Sequence, residues 1–392
     1  MSVFVQAMGV VCALGSDAAT VRERLFAATP HPLSESDAFS PGRALPLGLV
    51  REPLPAVNEW PVQQRSRTNA LAEAALSQMR PQVDAAVARH GASRVAVVVG
   101  GSTSGLREGE LALRRQRAEG AWPADYLYAQ QELGATAEFL AWRLGARGPA
   151  MVISTACSSG AKALASAARL LQAGLADAVI AGGADALCRF TVAGFSALES
   201  VSAERCNPLS AARNGINLGE GAALFLLSRD AAAIRVAGWG ETSDAHHMSA
   251  PAPDGRGAID AMRQALARAG TTAADVDYIN LHGTATPHND AMEARAVADV
   301  LGLDVAVSST KPLTGHALGA AGAIEAAFAC MTLVDNPRGR LPPHWWDGAA
   351  DPALPTLRLA GPAQGLGRSA RVVMSNSFAF GGSNACLLFA AA

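Results

Sequence analysis

Two alanine-rich runs, Ser158–Ala173 and Leu318–Leu333, most constrain how this chain of 392 residues can fold. Both have a helical composition and are small or apolar on nearly every side, and the second carries a single charge, Glu325. A helix that is apolar on every face is buried on every face. Because each run begins just after a candidate catalytic residue, Cys157 or His316, we expect two similar halves, each with a central helix that starts at a reactive side chain.

Apolar, strand-like runs alternate with helical runs along the whole chain, which is typical of an α/β protein with buried sheets. The predicted strands are Val3–Met8, Arg94–Gly100, Met151–Ser154, Ala178–Gly182, Ala222–Leu227, Ile234–Gly238, Tyr278–Leu281, Val305–Ser308, Val372–Asn376 and Ala385–Phe389. Further predicted helices are Ala70–Arg80, Ala258–Ala269 and Ala291–Leu301. Residues 336–367, rich in proline and glycine, are expected to form a long surface loop. We place the two halves at 1–230 and 231–392.

Composition and charge argue against several classes of protein. The formal net charge of −2 shows no excess of positive charge, which a nucleic-acid-binding protein usually has. No stretch reaches the roughly 20 apolar residues of a membrane span, and the N-terminus lacks the charged start of a secretory signal, which favours a cytosolic location. The six cysteines are dispersed without a C-x-x-C pair, so neither a disulfide framework nor a metal site is expected.

Four segments place polar or reactive side chains in turns that follow predicted strands. They are Ser154–Gly160, which contains Cys157, then His282–Pro287, Ser308–His316 and Asn376–Asn384. In doubly wound sheets, ligand sites form at the carboxyl ends of the strands. A cysteine and two histidines at such positions indicate covalent thiol catalysis with assistance from imidazole groups.

The turn at Cys157 is suited to a nucleophile. The positive end of the following helix should lower the pKa of the thiol and favour the thiolate. Backbone amides at Gly381-Gly382 could form an oxyanion hole together with the amide of Cys157. Taken alone, Cys157 would more often be a buried structural cysteine, and His282 or His316 an ordinary core or surface histidine. The four segments together favour catalysis.

In this order, the four segments resemble those of the β-ketoacyl-acyl-carrier-protein synthases, the condensing enzymes of fatty-acid and polyketide synthesis. Lesser matches at Gly219–Ala222 and Ser243–Met248 extend the resemblance along the chain. The resemblance implies an α/β thiolase fold, with two halves related by a pseudo-two-fold axis in a layered αβαβα structure. It also implies decarboxylative Claisen condensation of an acyl chain with a malonyl group, in fatty-acid or, preferably, polyketide or polyene-type synthesis.

The resemblance assigns roles to the residues that contact the substrates. Cys157 corresponds to the nucleophile that holds the acyl chain, and His282 and His316 correspond to the pair that promotes decarboxylation and stabilises the enolate. Thr284 and Thr286 correspond to the threonines that bind the pantetheine arm. The substrates arrive on the phosphopantetheine arm of an acyl carrier protein, and no further cofactor is implied.

Other residues are assigned supporting roles by the same resemblance. Lys311 corresponds to a lysine that supports the histidines, and Glu293 to a carboxylate that pairs with this lysine, with Asp290 as an alternative. Phe380 corresponds to a gating aromatic residue whose amide completes the oxyanion hole. Phe378 is expected to line the pocket.

Small basic clusters have two open interpretations, a solvated face or a docking surface for an acidic carrier protein. They comprise Arg65, Arg67, Arg114, Arg115 and Arg117. The family usually forms homodimers, and a heterodimer with a chain-length-factor-like subunit is also open.

One segment departs from the family pattern. Cys206–Ser210 stands where an Arg-Pro-Phe-Asp-like segment is common in the family. The family pattern therefore does not predict the contacts of this segment, and the difference favours a specialised member of the family. An alternative function is a non-catalytic chain-length-factor-like partner, but such partners usually lack the cysteine. Thiolases use a second cysteine in the region of Phe380, and the chain-starting synthases have an asparagine in place of His316, so both are less favoured.

Overall fold

The computed structural model describes residues 1–392 as a regular succession of strands and helices. The first half contains β1 (Phe4–Val11), α1 (Ala18–Leu25), β2 (Ser34–Ser36), β3 (Leu45–Leu47), α2 (Arg67–Ser77), α3 (Arg80–His90), β4 (Val95–Gly100), α4 (Leu106–Glu119), α5 (Ala135–Leu144), β5 (Ala150–Ile153), α6 (Ser159–Gln172), β6 (Ala178–Asp185), α7 (Arg189–Ala197) and β7 (Gly221–Ser228). The second half contains β8 (Ile234–Ser243), α8 (Arg256–Ala269), β9 (Tyr278–Asn280), α9 (Pro287–Leu301), β10 (Ala306–Ser308), α10 (Lys311–Thr314), α11 (Ala321–Leu333), β11 (Arg358–Leu359), β12 (Val372–Ala379) and β13 (Ser383–Ala391).

The strand order of the first half repeats in the second. The strands follow β1-β7-β6-β4-β5 in one sheet and β8-β13-β12-β9-β10 in the other, with β11 added at the second edge. The pattern of parallel and antiparallel pairs is the same in both sheets. The sheets are joined where β1 pairs with β8, at Phe4–Arg235 and Val5–Ile234. The repeat accounts for the pseudo-two-fold relation, while the division at residue 230 stays a prediction.

Helices α6 and α11 form the central layer between the two sheets. Helix α6 packs on β4 and β6, α11 packs on β12 and β13, and the two helices contact each other. A Cβ atom added to Gly160 would lie 2.8 Å from the amide nitrogen of Ala323, and one added to Gly322 would lie 3.1 Å from the Cβ atom of Ala161. Glycine therefore permits the close crossing of the helices.

The outer helices complete the predicted five layers. Helices α2 and α5 cover the first sheet, and α8 covers the second with α9 beside it. A cluster of 47 buried residues surrounds the central helices, and two clusters of 22 residues lie within the two halves. The largest apolar cluster therefore lies around the two helices that begin at the reactive side chains.

The structure corrects two expectations about burial. Every residue of α11 is buried, as predicted, but α6 exposes one face that includes Arg169 and Gln172. Residues 336–367 are only partly a surface loop, because Leu341, His344 and Ala360 are buried and the segment contributes β11 to the sheet edge. Helices α1, α3, α4, α5, α7 and α10 were not predicted. Helices α3 and α4 each bury only one residue, which leaves little apolar periodicity to detect. None of the helices has the length and apolarity needed to cross a membrane.

Candidate active site

Cys157 lies in a strained turn between β5 and α6. The residue before it, Ala156, has a φ of +51°, a left-handed conformation that is uncommon for a residue with a side chain. Ser159, the first residue of α6, stabilises the turn by accepting a hydrogen bond from the amide of Thr155 at 2.9 Å and donating one to the carbonyl of Ala156 at 2.6 Å. The turn brings the thiol to a cavity while Cys157 stays 6% exposed.

The thiol of Cys157 contacts the imidazole of His316. The distance from Sγ to Nε2 is 2.9 Å. The expected lowering of the thiol pKa is wrong: burial raises the pKa of Cys157 to about 12, although the charge of Lys311 acts in the opposite direction. Burial and the same charge hold the pKa of His316 well below its usual value. A neutral imidazole is therefore placed to accept the proton of a thiol that is protonated at rest.

His282 follows β9 and faces His316. The ring centroids are 5.4 Å apart and the rings meet edge to face. The ammonium of Lys311 lies 3.4 Å from Nδ1 of His282, and because an ammonium can only donate, Nδ1 accepts and Nε2 carries the ring proton. Burial and the Lys311 charge lower the pKa of His282 well below its usual value. His282 is therefore a neutral hydrogen-bond donor beside the thiol.

The partner of Lys311 is Glu325, and the predicted pairing with Glu293 is wrong. Nζ of Lys311 lies 2.5 Å from Oε1 of Glu325 and also donates to the backbone carbonyl of His282. Both charged side chains are almost completely buried. Helix α11 places Glu325 behind the histidines, and the signal in the sequence was that this is the one charge in an otherwise apolar helix.

Glu293 instead anchors the backbone of the histidine turn. Its carboxylate accepts hydrogen bonds from the amides of His282 and Gly283, both at 2.7 Å, and from the side chain of Asn376 at 3.1 Å. Burial raises the pKa of Glu293 to about 7, although these three N–H donors favour the ionised form. Asp290 likewise does not bind Lys311; it accepts from the amide of Ala285 at 3.2 Å.

Phe380 follows β12 and lines the same cavity as Cys157. The backbone amides of Cys157 and Phe380 both act to lower the pKa of the thiol, against the larger effect of burial. The Phe380 ring lies 5.7 Å from that of Phe195. The turn after it is tied to α6, because Nζ of Lys162 donates to Oγ of Ser383 at 2.6 Å. Two backbone N–H groups thus influence the sulfur, as an oxyanion hole at this position requires.

One cavity of about 380 Å³ collects most of the predicted substrate-contacting residues. Its lining includes Cys157, His282, His316, Thr284, Thr286, Phe378 and Phe380. The hydroxyls of Thr284 and Thr286 lie 2.8 Å apart, and the Phe378 ring lies 6.3 Å from that of His282. Lys311 and Glu293 do not line the cavity and act from behind the histidines.

The donor atoms of Cys157, His282 and His316 all lie within 4.8 Å of one another, a spacing that a metal ion could bridge. The buried ammonium of Lys311 beside His282 opposes the entry of a cation into this set. The charge arrangement thus suits an anionic intermediate better than a metal ion.

The basic clusters divide into structural and exposed members. Arg67 forms an ion pair with buried Glu220 at 2.5 Å, so its charge is neutralised inside the protein, and we remove it from the docking set. Arg65 donates to the carbonyl of Trp60 at 2.7 Å and remains partly exposed. Arg115 pairs with exposed Asp125.

An open groove on this surface is lined by Arg65, Arg107, Arg114 and Arg115. Arg117 is exposed and does not belong to the lining of the groove. Arg67 also borders the groove, but its charge is paired with Glu220. Four other basic residues therefore remain in the lining of the groove.

Comparison with known proteins identifies the family. Residues 62–233 match the model of the beta-ketoacyl synthase N-terminal domain, and residues 233–344 match that of its C-terminal domain. The chain therefore belongs to the beta-ketoacyl synthase family.

Named relatives support the same assignment. The 3-oxoacyl-[acyl-carrier-protein] synthase 2 of Rhizobium meliloti (strain 1021) is 41% identical over 261 residues, which cover 62% of this chain and 61% of the relative. The protein of the same name from Staphylococcus aureus is 38% identical over 263 residues, or 63% of this chain and 64% of the relative. The matched region thus spans less than two thirds of the length of either relative.

Solved structures match over the whole chain. A chain from the complex of a ketosynthase (ApeO) with its chain length factor (ApeC) from Xenorhabdus doucetiae is 43% identical, with a TM-score of 0.94, and the match covers 100% of this chain and 98% of that one. A beta-ketoacyl synthase from Burkholderia phymatum STM815 is 27% identical with a TM-score of 0.87, covering 100% and 99%. The thiolase-type ketosynthase fold is therefore confirmed.

Proposed function

We propose that this protein is a β-ketoacyl-acyl-carrier-protein synthase that joins an acyl chain to a malonyl-derived unit. The observation that carries the proposal is the 2.9 Å contact of Cys157 Sγ with His316 Nε2, beside the donor His282 in the same cavity. The thiol supplies a covalent anchor, and two neutral imidazoles supply proton transfer and stabilisation of an anion.

The first step is acyl transfer to Cys157. The thiol proton moves to Nε2 of His316 while sulfur attacks the carbonyl carbon of an acyl thioester. The amides of Cys157 and Phe380 bind the resulting oxyanion. The carbon–sulfur bond to pantetheine then breaks, and the departing thiolate takes the proton from His316.

The second step forms the carbon–carbon bond. A malonyl thioester loses its carboxylate as carbon dioxide, and the electron pair of the broken bond becomes an enolate. Nε2–H of His282 donates to the enolate oxygen, and the neutral ring of His316, which no longer faces a thiol proton once Cys157 is acylated, donates to it in its Nε2–H tautomer. The enolate carbon attacks the acyl carbonyl at Cys157, the carbon–sulfur bond to Cys157 breaks, and the resulting thiolate takes a proton from solvent water. Thr284 and Thr286 lie at the cavity wall, where they can bind the amide groups of the pantetheine arm.

Intact-protein mass measurement tests the first step. Incubation with an acyl carrier-protein thioester should add the acyl mass to the protein, and Cys157→Ala should add nothing. Absence of an adduct with saturated, unsaturated and aromatic acyl chains would contradict the enzyme and favour the non-catalytic partner. The same panel in elongation assays identifies the chain type, for which we propose a polyketide or polyene-type precursor.

We also propose that the acidic carrier protein docks at the groove lined by Arg65, Arg114 and Arg115, with Arg117 nearby. Charge reversal in Arg65→Glu and Arg115→Glu should raise the Michaelis constant for the carrier-bound substrate while leaving the maximal rate unchanged. Arg263→Glu, a reversal on the exposed face of α8, is the matched control. An unchanged Michaelis constant would remove the docking assignment.

Subunit assembly is a further part of the proposal. Strand β5 is at the end of the first sheet, its residues are exposed or only partly buried, and Met151 is 39% exposed. An unpaired strand edge invites pairing with another chain. We propose that a chain-length-factor-like subunit or a second copy of this chain binds there. If so, Met151→Asp should lower the mass of the assembly that light scattering measures, relative to wild type. The cytosolic location stays a prediction that cell fractionation can check.

A further inference from the structure

His344 is a buried histidine that takes no part in the proposed chemistry. It lies between α11 and β11, in the segment that was expected to be a surface loop, and it is 3% exposed. Its Nδ1 accepts a hydrogen bond from the amide of Ser309 at 3.1 Å, and its Nε2 lies 3.0 Å from the carbonyl oxygen of Pro208. It does not line the catalytic cavity.

These two contacts determine the proton position on the ring. A backbone carbonyl can only accept and a backbone amide can only donate, so Nε2 carries the proton and Nδ1 is the acceptor. A second ring proton would bring an N–H group against the amide of Ser309. Burial lowers the pKa of His344 to about 4, which agrees with the neutral form that the contacts require.

Ser309 connects His344 to both sides of the histidine site. Its hydroxyl donates to the carbonyl of Gly283 at 2.7 Å and accepts from the amide of Lys311 at 3.3 Å. The fit is close, because a Cβ atom added to Gly283 would lie 2.5 Å from Cβ of Ser309. Gly283 directly follows His282, so a shift of Ser309 would move the backbone at both Lys311 and His282.

The other contact of His344 is with the segment that departs from the family pattern. Pro208 lies in Cys206–Ser210, which is held on both sides. The amide of Leu209 donates to Asp290 at 2.8 Å, and Ser210 donates to Asp347, three residues after His344, at 2.9 Å. The carbonyl of Pro208 is therefore held in place, and it accepts the hydrogen bond from the imidazole of His344.

We propose that His344 is a positioning residue. Its Nε2–H tautomer links Ser309 to Pro208 through two hydrogen bonds, a link that we call the brace, and thereby sets the placement of Lys311 relative to His282. The inference deepens the proposed function and rests on it. It assigns a role to the divergent segment, since the Pro208 carbonyl is the fixed end of the brace. The brace acts on the histidine half of the site and leaves the thiol turn unaffected.

Three variants separate the two contacts. In His344→Asn the amide oxygen can occupy the position of Nδ1 and keep the bond to Ser309. In His344→Gln the amide nitrogen can occupy the position of Nε2 and keep only the bond to Pro208. His344→Phe retains a ring and removes both bonds.

Malonyl decarboxylation and acyl loading should respond differently. An unsatisfied buried amide at Ser309 should lower the malonyl-carrier decarboxylation rate about tenfold in His344→Gln and His344→Phe. His344→Asn should lose less than about threefold, since it restores the acceptor. Acyl loading of Cys157 should stay within about twofold of wild type in all three variants. Equal losses in the Asn and Gln variants, or a parallel loss of acyl loading, would overturn the proposal.

Hydrogen exchange provides a readout that needs no catalysis. Amides of residues 282–284 and 309–313 should exchange faster in His344→Gln than in His344→Asn, while residues 155–160 should be unaffected. If the wild type neither loads acyl chains nor decarboxylates malonyl groups, the proposed function fails, and the exchange pattern still decides the brace. Identical exchange in the two variants would refute it.

Discussion

The two halves of the molecule place a reactive residue at the same point of the repeated fold but surround it differently. Cys157 lies between β5 and α6, and His316 lies between β10 and α11, at equivalent positions of the two sheets. Both turns contain a left-handed residue that is not glycine, Ala156 and Leu318. The shared topology therefore supplies strained turns that direct side chains into one cavity.

The two halves differ in the charged groups that they place around the reactive residues. Around the thiol the first half contributes neutral groups, namely the hydroxyls and backbone amides of the turn. The second half contributes His282, Lys311, Glu293 and Glu325, all buried. Charges are costly to bury unless they are paired, so the half to which we assign the anionic intermediate needs the fully enclosed helix α11 and an intact ion pair. The four predictions below test this division.

Cys157→Ala should separate the two halves most strongly. Acyl loading should fall at least about 10³-fold, because the covalent anchor is gone. Malonyl decarboxylation should persist, because both histidines and Lys311 remain. Mass measurement and release of carbon dioxide check the two outcomes, with Cys188→Ala as the control. Loss of both activities would show that the halves do not act separately.

Lys311→Met should have the largest effect on stability. It leaves the Glu325 carboxyl buried without a partner, which should lower the free energy of unfolding by about 3–5 kcal/mol. Arg263→Met, which breaks an exposed ion pair with Asp299, should change it by less than about 0.5 kcal/mol. Urea unfolding measures both. The double variant Lys311→Met/Glu325→Leu should recover much of the loss, and failure to recover would argue against an effect of the unpaired charge.

His344 should make the second half sensitive to acid. Its folded pKa of about 4 lies below the ordinary value, so its contribution to stability is complete above the ordinary pKa near 6.5 and is lost as the pH falls toward 4. Relative to His344→Asn, wild type should lose on the order of 3 kcal/mol between pH 7 and pH 4. Urea unfolding at several pH values gives the difference, in which the other titrating groups cancel. Parallel curves for the two proteins would contradict the assignment.

Gly322→Ala should have a smaller effect, at the crossing of the two central helices. The added methyl group would meet Oγ of Ser377 at 2.6 Å and the Cβ atom of Ala161 at 3.1 Å, and overpacking of this kind costs about 1–3 kcal/mol. Gly194→Ala in α7 has open space around the new methyl group and should be neutral or stabilising by up to about 1 kcal/mol. Thermal unfolding compares them. Equal shifts would show that the crossing tolerates a wider spacing.

Much of the fold was predictable because strands and central helices have strong local patterns. The composition of Leu318–Leu333, apolar apart from Glu325, predicted burial on every side, and α11 is buried along its whole length. Helix α4, with one buried residue, has no such pattern and was missed. The partner of Lys311 could not be chosen from spacing, since Glu293 and Glu325 lie on different helices and only packing determines which one faces the ammonium.

The sequence by itself determined the reactive side chains, their positions after strands, and the two helices that must lie at the centre. Only the tertiary structure decided their electrostatic state. The charge of Glu325, the resting protonation of Cys157 and the tautomer of His344 depend on burial and on partners that are distant in sequence. Local sequence carries little information about either, because desolvation and pairing arise only when the layers close around the site.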